Sequence, residues 1–195
     1  MKTLRIFVRQ PFTESGNREK EIVQGVLDVL RNLDGDPYKL AVPNGFEAQS
    51  QETFRQAYER SSGKPFTPEN FRATRLADLC DADAMFVIRT GLSESGSFEV
   101  AYNIFGGRRV PMFFAVWAQS PIKTTLLREL QEIADATYAT FQAPWQIEKP
   151  LREFLIRIGR SKGVRDVPAD GGVHRKAPWY TSRLDVKSNR DRFVG

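Results

Sequence analysis

The chain has 195 residues, 41% of them hydrophobic, and a formal net charge of +5. That size and composition suit one domain with a full core, and no run approaches the 18 or so apolar residues that span a bilayer. A single cysteine, Cys80, excludes an intrachain disulfide, and with a single histidine, His174, it argues against a zinc site. The lone cysteine fits a reducing, cytoplasmic location, and within LADLCDADA it reads as a small buried hydrophobe. The opening MKTLRIFVRQPF is not read as a secretory signal. Arg5 and Arg9 break its apolar run, and no small-residue cleavage site follows. The charge is unevenly placed. Residues 161–195 carry eight Lys/Arg against four Asp, so +4 of the total belongs to this extension. Its basic residues lack the regular spacing that tracks a phosphate backbone, which makes nucleic acid an unexpected partner.

Along the chain, short β-rich runs alternate with amphipathic ones. LRIFV (4–8) predicts a strand, followed by the loop QPFTESGN. Ile22, Val23, Val26, Leu27, Leu30 and Leu33 then fall at helical spacing, with Ser15 or Asn17 as the expected cap and DGDP (34–37) as the stop. YKLAV (38–42) predicts a second strand and residues 49–61 a polar helix. Thr67 followed by Pro68 marks the start of a helix running to about Cys80. AMFVIRT (84–90) is a strongly apolar central strand, and a helix is expected from about Ser97 to Phe105. Residues 110–117 predict a strand, 121–134 a helix, 137–142 a strand and 145–160 a helix with Ile147, Leu151, Phe154, Leu155 and Ile158 on its apolar side.

Strands interleaved with helices in this way imply an α/β fold. The expectation is a five-stranded parallel sheet covered on both faces, a flavodoxin/Rossmann-like three-layer sandwich. The expected division is an α/β domain over residues 1–160 and an irregular, basic C-terminal extension over 161–195. Within the extension, Trp179 and Tyr180 are candidates to dock on a second subunit or on the chain's own domain.

In such sheets ligands bind beyond the carboxyl ends of the strands. Two loops leave strands there with unusual residues: RQPFTESGN (9–17) and RTGLSESGSFEV (89–100). Gly91 and Gly96 permit close approach of a ligand. Ser95 and Ser97, with the free N–H groups of a helix start, suit an anion such as phosphate or carboxylate. Arg89 is placed either to neutralise such an anion or to sit on a solvated rim. The same stretch also reads as a helix start with serine caps and Glu99 in the first turns, worth about 0.5–2 kcal/mol.

The stretches IFVRQPF, LADLCDADAMFVI and Glu94-Ser95-Gly96-Ser97-Phe98-Glu99 with GGRRVPMFF behind them resemble the nucleoside 2-deoxyribosyltransferase-like superfamily, which includes nucleoside 5′-monophosphate N-glycosidases. The resemblance covers residues 4–12 and about 72–116. The chain departs from the family pattern at Gln10, in place of a small residue, at Ser97, in place of Thr, and at Glu94, in place of Asp. The resemblance implies that Glu99 attacks the anomeric carbon of a nucleotide or nucleoside, and that the partner is a small molecule, with no cofactor and no metal. Such a carboxylate stabilises or bonds to an oxocarbenium-like sugar while a second acid protonates the departing base. Asp83 and Glu94 are the candidates for that acid, Asp83 with a purely structural role as the alternative. Gln10, Pro11, Phe12, Arg89, Gly91, Ser95, Gly96 and Ser97 are the candidate substrate-binding residues, with Phe12 stacking on the base or lying in the core. Hydrolysis of the N-glycosidic bond is the leading expectation. The alternatives are a base-exchanging deoxyribosyltransferase, a nucleotide-binding module without turnover, and a TIR-like NAD-cleaving enzyme. A homo-oligomer is implied by the resemblance alone.

Overall fold

The computed structural model describes residues 2–11, 16–42, 51–91, 93–106 and 109–165, without the side chains of 51–54 and 163–165. Among these, five strands alternate with five α-helices: β1 (Thr3–Arg9), α1 (Asn17–Asn32), β2 (Lys39–Ala41), α2 (Gln51–Ser62), α3 (Pro68–Asp81), β3 (Ala84–Arg89), α4 (Glu94–Phe105), β4 (Met112–Trp117), β5 (Ala136–Phe141) and α5 (Glu148–Arg165). All pairings are parallel, in the order β2-β1-β3-β4-β5. Every residue of β3 and β4 is buried, as both-face coverage demands of central parallel strands.

The pleat sorts the side chains between two cores. Leu4, Ile6 and Val8 of β1, with Phe86, Ile88, Phe113 and Ala115, meet α1 and α5. Phe7, Met85, Val87, Phe114 and Val116 meet Leu79 of α3 and Val100 and Ile104 of α4. The five apolar residues expected on the last helix are all buried, Ile147 in the 3-10 turn Pro144–Ile147 and the other four in α5. Period-2 alternation therefore puts Arg9, at the end of β1, and Arg89, at the end of β3, on the α3/α4 side. Asn103 fixes α4 against the entry to β4. Its side-chain amide donates to the Val110 carbonyl (2.8 Å) and its carbonyl accepts from the Val110 N–H (3.0 Å).

Three local expectations are corrected. The first helix is capped by Gly16, with no side-chain cap bond; Ser15 lies outside the described residues. Helix α4 begins at Glu94, capped by Ser93, whose Oγ accepts from the Gly96 N–H (3.2 Å), rather than near Ser97. Residues 121–134 form no α-helix, only the 3-10 turns Thr125–Leu127 and Leu130–Glu132. Side chains take the carbonyls a helix would use: Arg128 donates to Ile122 (2.9 Å) and the Tyr138 hydroxyl to Leu127 (2.8 Å), while Glu129 has φ +53°. Thr67 does cap α3, accepting from the Asn70 N–H, with Pro68 in the first turn. Helix α5 continues past the expected domain boundary at 160 to Arg165, and the tail beyond it lies outside the described residues. Cys80 is half-buried, with its sulfur 3.8 Å from the Tyr102 hydroxyl.

Candidate active site

The chain leaves β1 toward β2 on one side and reaches β3 on the other. This strand order therefore reverses direction between β1 and β3 and opens a crevice at their carboxyl ends. The crevice is narrow, with a free volume of about 20 Å³. Arg9, Pro11, Arg89, Gly91, Ser93, Gly96 and Ser97 form its polar wall, over an apolar floor that includes Val87, Val100 and Phe114.

Behind this wall lies Glu99, six residues after the α4 cap and only 6% exposed. Helix α3 brings Arg75 to it, with Nε donating to Glu99 Oε1 (3.1 Å). Arg75 is fixed twice more: Nη2 donates to the Val8 carbonyl (3.3 Å), and the guanidinium lies 3.9 Å over the Phe7 ring. Strand β1 supplies Arg9, whose Nε stands 3.2 Å from Glu99 Oε2 as an ion pair without hydrogen-bond alignment. The two terminal nitrogens of Arg9 donate to the Gln10 carbonyl and to Ser93 Oγ. Burial pushes the Arg9 guanidinium below its ordinary pKa; Glu99 opposes that shift and Arg75 adds to it.

Arg89 has no such company. It is 7% exposed, its Nε has no hydrogen-bond partner among the described residues, and burial lowers its pKa. Thr90 Oγ1 beside it is likewise buried without a partner. Arg9, Arg75, Arg89 and Glu99 are the buried charged residues among those described. Arg9 and Arg75 face one carboxylate, and Arg89 lies buried at the same sheet edge, so among the described residues the buried charges there leave an excess of two positive. Among the described residues no group of His, Cys, Asp or Glu side chains assembles a metal site.

The fold has counterparts of known structure. BlsM is 13% identical, with 86% of this chain and 97% of BlsM covered at a TM-score of 0.54. The CMP N-glycosidase BcmB of Clostridium botulinum is 9% identical over 75% of this chain and 97% of its own, with a TM-score of 0.49. A 2-deoxyribosyltransferase from Bacillus psychrosaccharolyticus is 18% identical over 74% and 90%, with a TM-score of 0.43. The likeness to BlsM is one of fold. No protein-family model and no curated protein matches the sequence.

Of the residues singled out in the sequence, Pro11, Arg89, Gly91, Gly96 and Ser97 line the crevice. Gln10 is buried and contributes its backbone carbonyl to Arg9. Ser95 and Glu94 are exposed on the first turn of α4, outside the crevice wall. Phe12 lies outside the described residues. Asp83 is a correction: it precedes β3 at the opposite, amino-terminal edge of the sheet, where it cannot serve the crevice. There its Oδ2 accepts from the Arg5 N–H (2.8 Å) and from Lys162 Nζ (2.8 Å), tying β1 and α5 to the strand entrance. Sequence reasoning missed Arg9, Arg75, Ser93 and Thr90. A signal for Arg75 was present, since it stands one turn before buried Leu79 on α3, a charge on an apolar face. Arg9 likewise ends an apolar strand without leaving the core.

Proposed function

We propose that the chain cleaves the N-glycosidic bond of a nucleoside 5′-monophosphate or nucleoside, with Glu99 as the nucleophile. The observation that carries the proposal is the cluster of buried charges at the crevice: one carboxylate beside cations in excess by two. The carboxylate has the chemistry to bond to an oxocarbenium-like carbon, and the surplus guanidinium charge has the chemistry to hold a phosphate. Arg89, unpartnered and buried in the crevice wall, is the phosphate ligand in this reading, with Ser97 and the α4 N–H groups beside it. The floor of Val87, Val100 and Phe114 accepts the apolar faces of sugar and base. Glu99 forms a bond to the anomeric carbon as the carbon–nitrogen bond breaks, and the electron pair passes to the base nitrogen, which takes a proton. Glu94, exposed outside the crevice wall, is proposed to supply it through a bridging water and to take a proton back from the attacking water. Water then attacks the anomeric carbon, regenerates Glu99 and releases the sugar.

A second reading has its own support. Both oxygens of Glu99 face guanidinium groups, and the carboxylate itself does not line the crevice. That geometry also suits a module that binds a nucleotide without cleaving it. One experiment separates these readings: incubate the protein with a panel of nucleoside monophosphates, nucleosides and NAD, and measure free base by chromatography. The expected result is base release from the monophosphates, abolished in Glu99→Gln protein that circular dichroism shows to be folded. Binding without base release assigns the module. Release from NAD alone assigns an NAD-cleaving enzyme, and base exchange in the presence of a second free base assigns a transferase. The homo-oligomer implied by the resemblance belongs to the same proposal. Sedimentation of the purified chain tests it, and a monomer at micromolar concentration counts against it.

A further inference from the structure

We infer that Arg9 makes attack by Glu99 conditional on an anionic group in the substrate: it covers the nucleophile in the free protein and is drawn off by the substrate's phosphate. The inference rests on the glycosidase reading above.

The two oxygens of Glu99 are held differently. Oε1 takes an aligned bond from Arg75, which Val8 and Phe7 immobilise in turn. Oε2 faces only Arg9 Nε among the described residues, at 3.2 Å and out of hydrogen-bond alignment. Arg75 is therefore the positioning residue, while Arg9, anchored by its terminal nitrogens on the Gln10 carbonyl and Ser93 Oγ, makes its loosest contact with Oε2. Arg9 also lines the crevice, whereas Glu99 does not, so the guanidinium stands between the carboxylate and a ligand. The close passage of Arg9 over α4 depends on Gly96, where a Cβ would stand 3.2 Å from Arg9 Nε. Ser93 Oγ joins the two parts, accepting from Arg9 and from the Gly96 N–H at the start of α4.

Charge supplies the driving force. The buried excess of two positive charges is unfavourable without a counter-ion, and a phosphate monoester brings about −1.5 to −2. At the α4 start beside Arg89, that group offers Arg9 a bidentate partner better aligned than Glu99 Oε2. Once Arg9 turns to the phosphate, Oε2 is uncovered for the anomeric carbon. A neutral nucleoside offers no such exchange, and Arg9 stays in place.

The test uses the full chain and kcat/KM for a nucleoside 5′-monophosphate and its parent nucleoside. Wild type is expected to favour the monophosphate by at least about 100-fold, since hydrogen bonds to charged groups are the strong ones. In Arg9→Met the nucleoside is expected to turn over at least about tenfold faster than in wild type, and the monophosphate more slowly. Arg9→Lys should restore part of the preference. Gly96→Ala, which crowds Arg9 and favours the helix, should raise nucleoside turnover in the same direction. A second measurement needs no variant. Sulfate, a dianion too weakly nucleophilic to react, should activate wild-type cleavage of the nucleoside in a saturable manner and have no such effect on Arg9→Met. An Arg9 that only binds phosphate would lower monophosphate turnover and leave the nucleoside unchanged. That outcome, or sulfate that fails to activate while monophosphates are cleaved, overturns the inference and spares the glycosidase reading. No base release from any substrate overturns both.

Discussion

Glu99 is one carboxylate between two guanidinium groups, and each of its oxygens has a different neighbour. Removing it would leave Arg9 and Arg75 buried at close range with no negative charge between them. Breaking a buried pair in this way costs about 3–5 kcal/mol, far more than a surface pair contributes. Glu99→Gln is therefore expected to lower stability by that amount in a urea titration, apart from any effect on chemistry. Replacing the ionic group as a whole should not. The triple variant Arg9→Met, Arg75→Met, Glu99→Leu is expected to unfold at the same urea concentration as wild type or a higher one, while releasing no base. If the triple variant is as unstable as Glu99→Gln, the cluster is structural rather than a cost retained for function. This cluster was only partly legible in the sequence. Glu99, Arg89 and the glycines were singled out because they share one loop and one helix start. Arg9 and Arg75 come from another strand and another helix, and no local pattern announces a partner that only the fold brings within 3.2 Å.

At the scale of elements, a half-buried carboxylate, Glu59, helps to fix the connection from α2 to α3. The Phe66 N–H donates to Glu59 Oε1 (2.9 Å), and this bond, with a smaller contribution from Arg55, holds the Glu59 carboxyl below the ordinary glutamate pKa. A depressed folded pKa means that the contact stabilises above about pH 4.3, the ordinary value, and is lost as pH falls through the lower folded value. The Phe66 amide resonance is accordingly expected to titrate with a midpoint below about 4.3, and Glu59→Gln to abolish that titration; a midpoint above it would mean the bond does not form. The elements themselves were readable where one physical rule dominates. The apolar runs of β3 and β4 could only be central parallel strands, and Thr67-Pro68 could only begin a helix. Residues 121–134 misled because Ile122, Leu127, Leu130 and Ile133 fall at helical spacing. In the fold Ile122 and Leu130 are buried and Ile133 is exposed, since the Tyr138 hydroxyl, eight residues beyond Leu130, accepts from its N–H and donates to Leu127. A long-range side chain displaced a local preference there, and local periodicity carries no information about it.

On the scale of the whole molecule, the two ends of the sheet are electrostatically unlike. At the amino edge, Asp83 pairs with Lys162 and Asp78 with the Arg5 guanidinium, so charges there are matched between partners. At the carboxyl edge two buried positive charges go unmatched among the described residues, a cost to the stability of the free protein. A ligand that cancels the excess should therefore stabilise the entire fold, and do so in proportion to its charge. Saturation at 100 times Kd adds about 2.7 kcal/mol. For a domain of this size each kcal/mol raises Tm by roughly 2–4 °C, so a shift of about 5–10 °C is expected with a nucleoside 5′-monophosphate. The parent nucleoside at the same concentration should give much less. Arg89→Met should remove most of the difference between them, because its Nε has no hydrogen-bond partner among the described residues and would gain one from the ligand. Added salt should shrink the effect only modestly, since buried charges are screened far less than exposed ones. Scanning calorimetry at two salt concentrations measures all of this. Equal shifts from nucleoside and monophosphate would place recognition on the sugar and base, and would leave the buried arginines without a ligand to explain them.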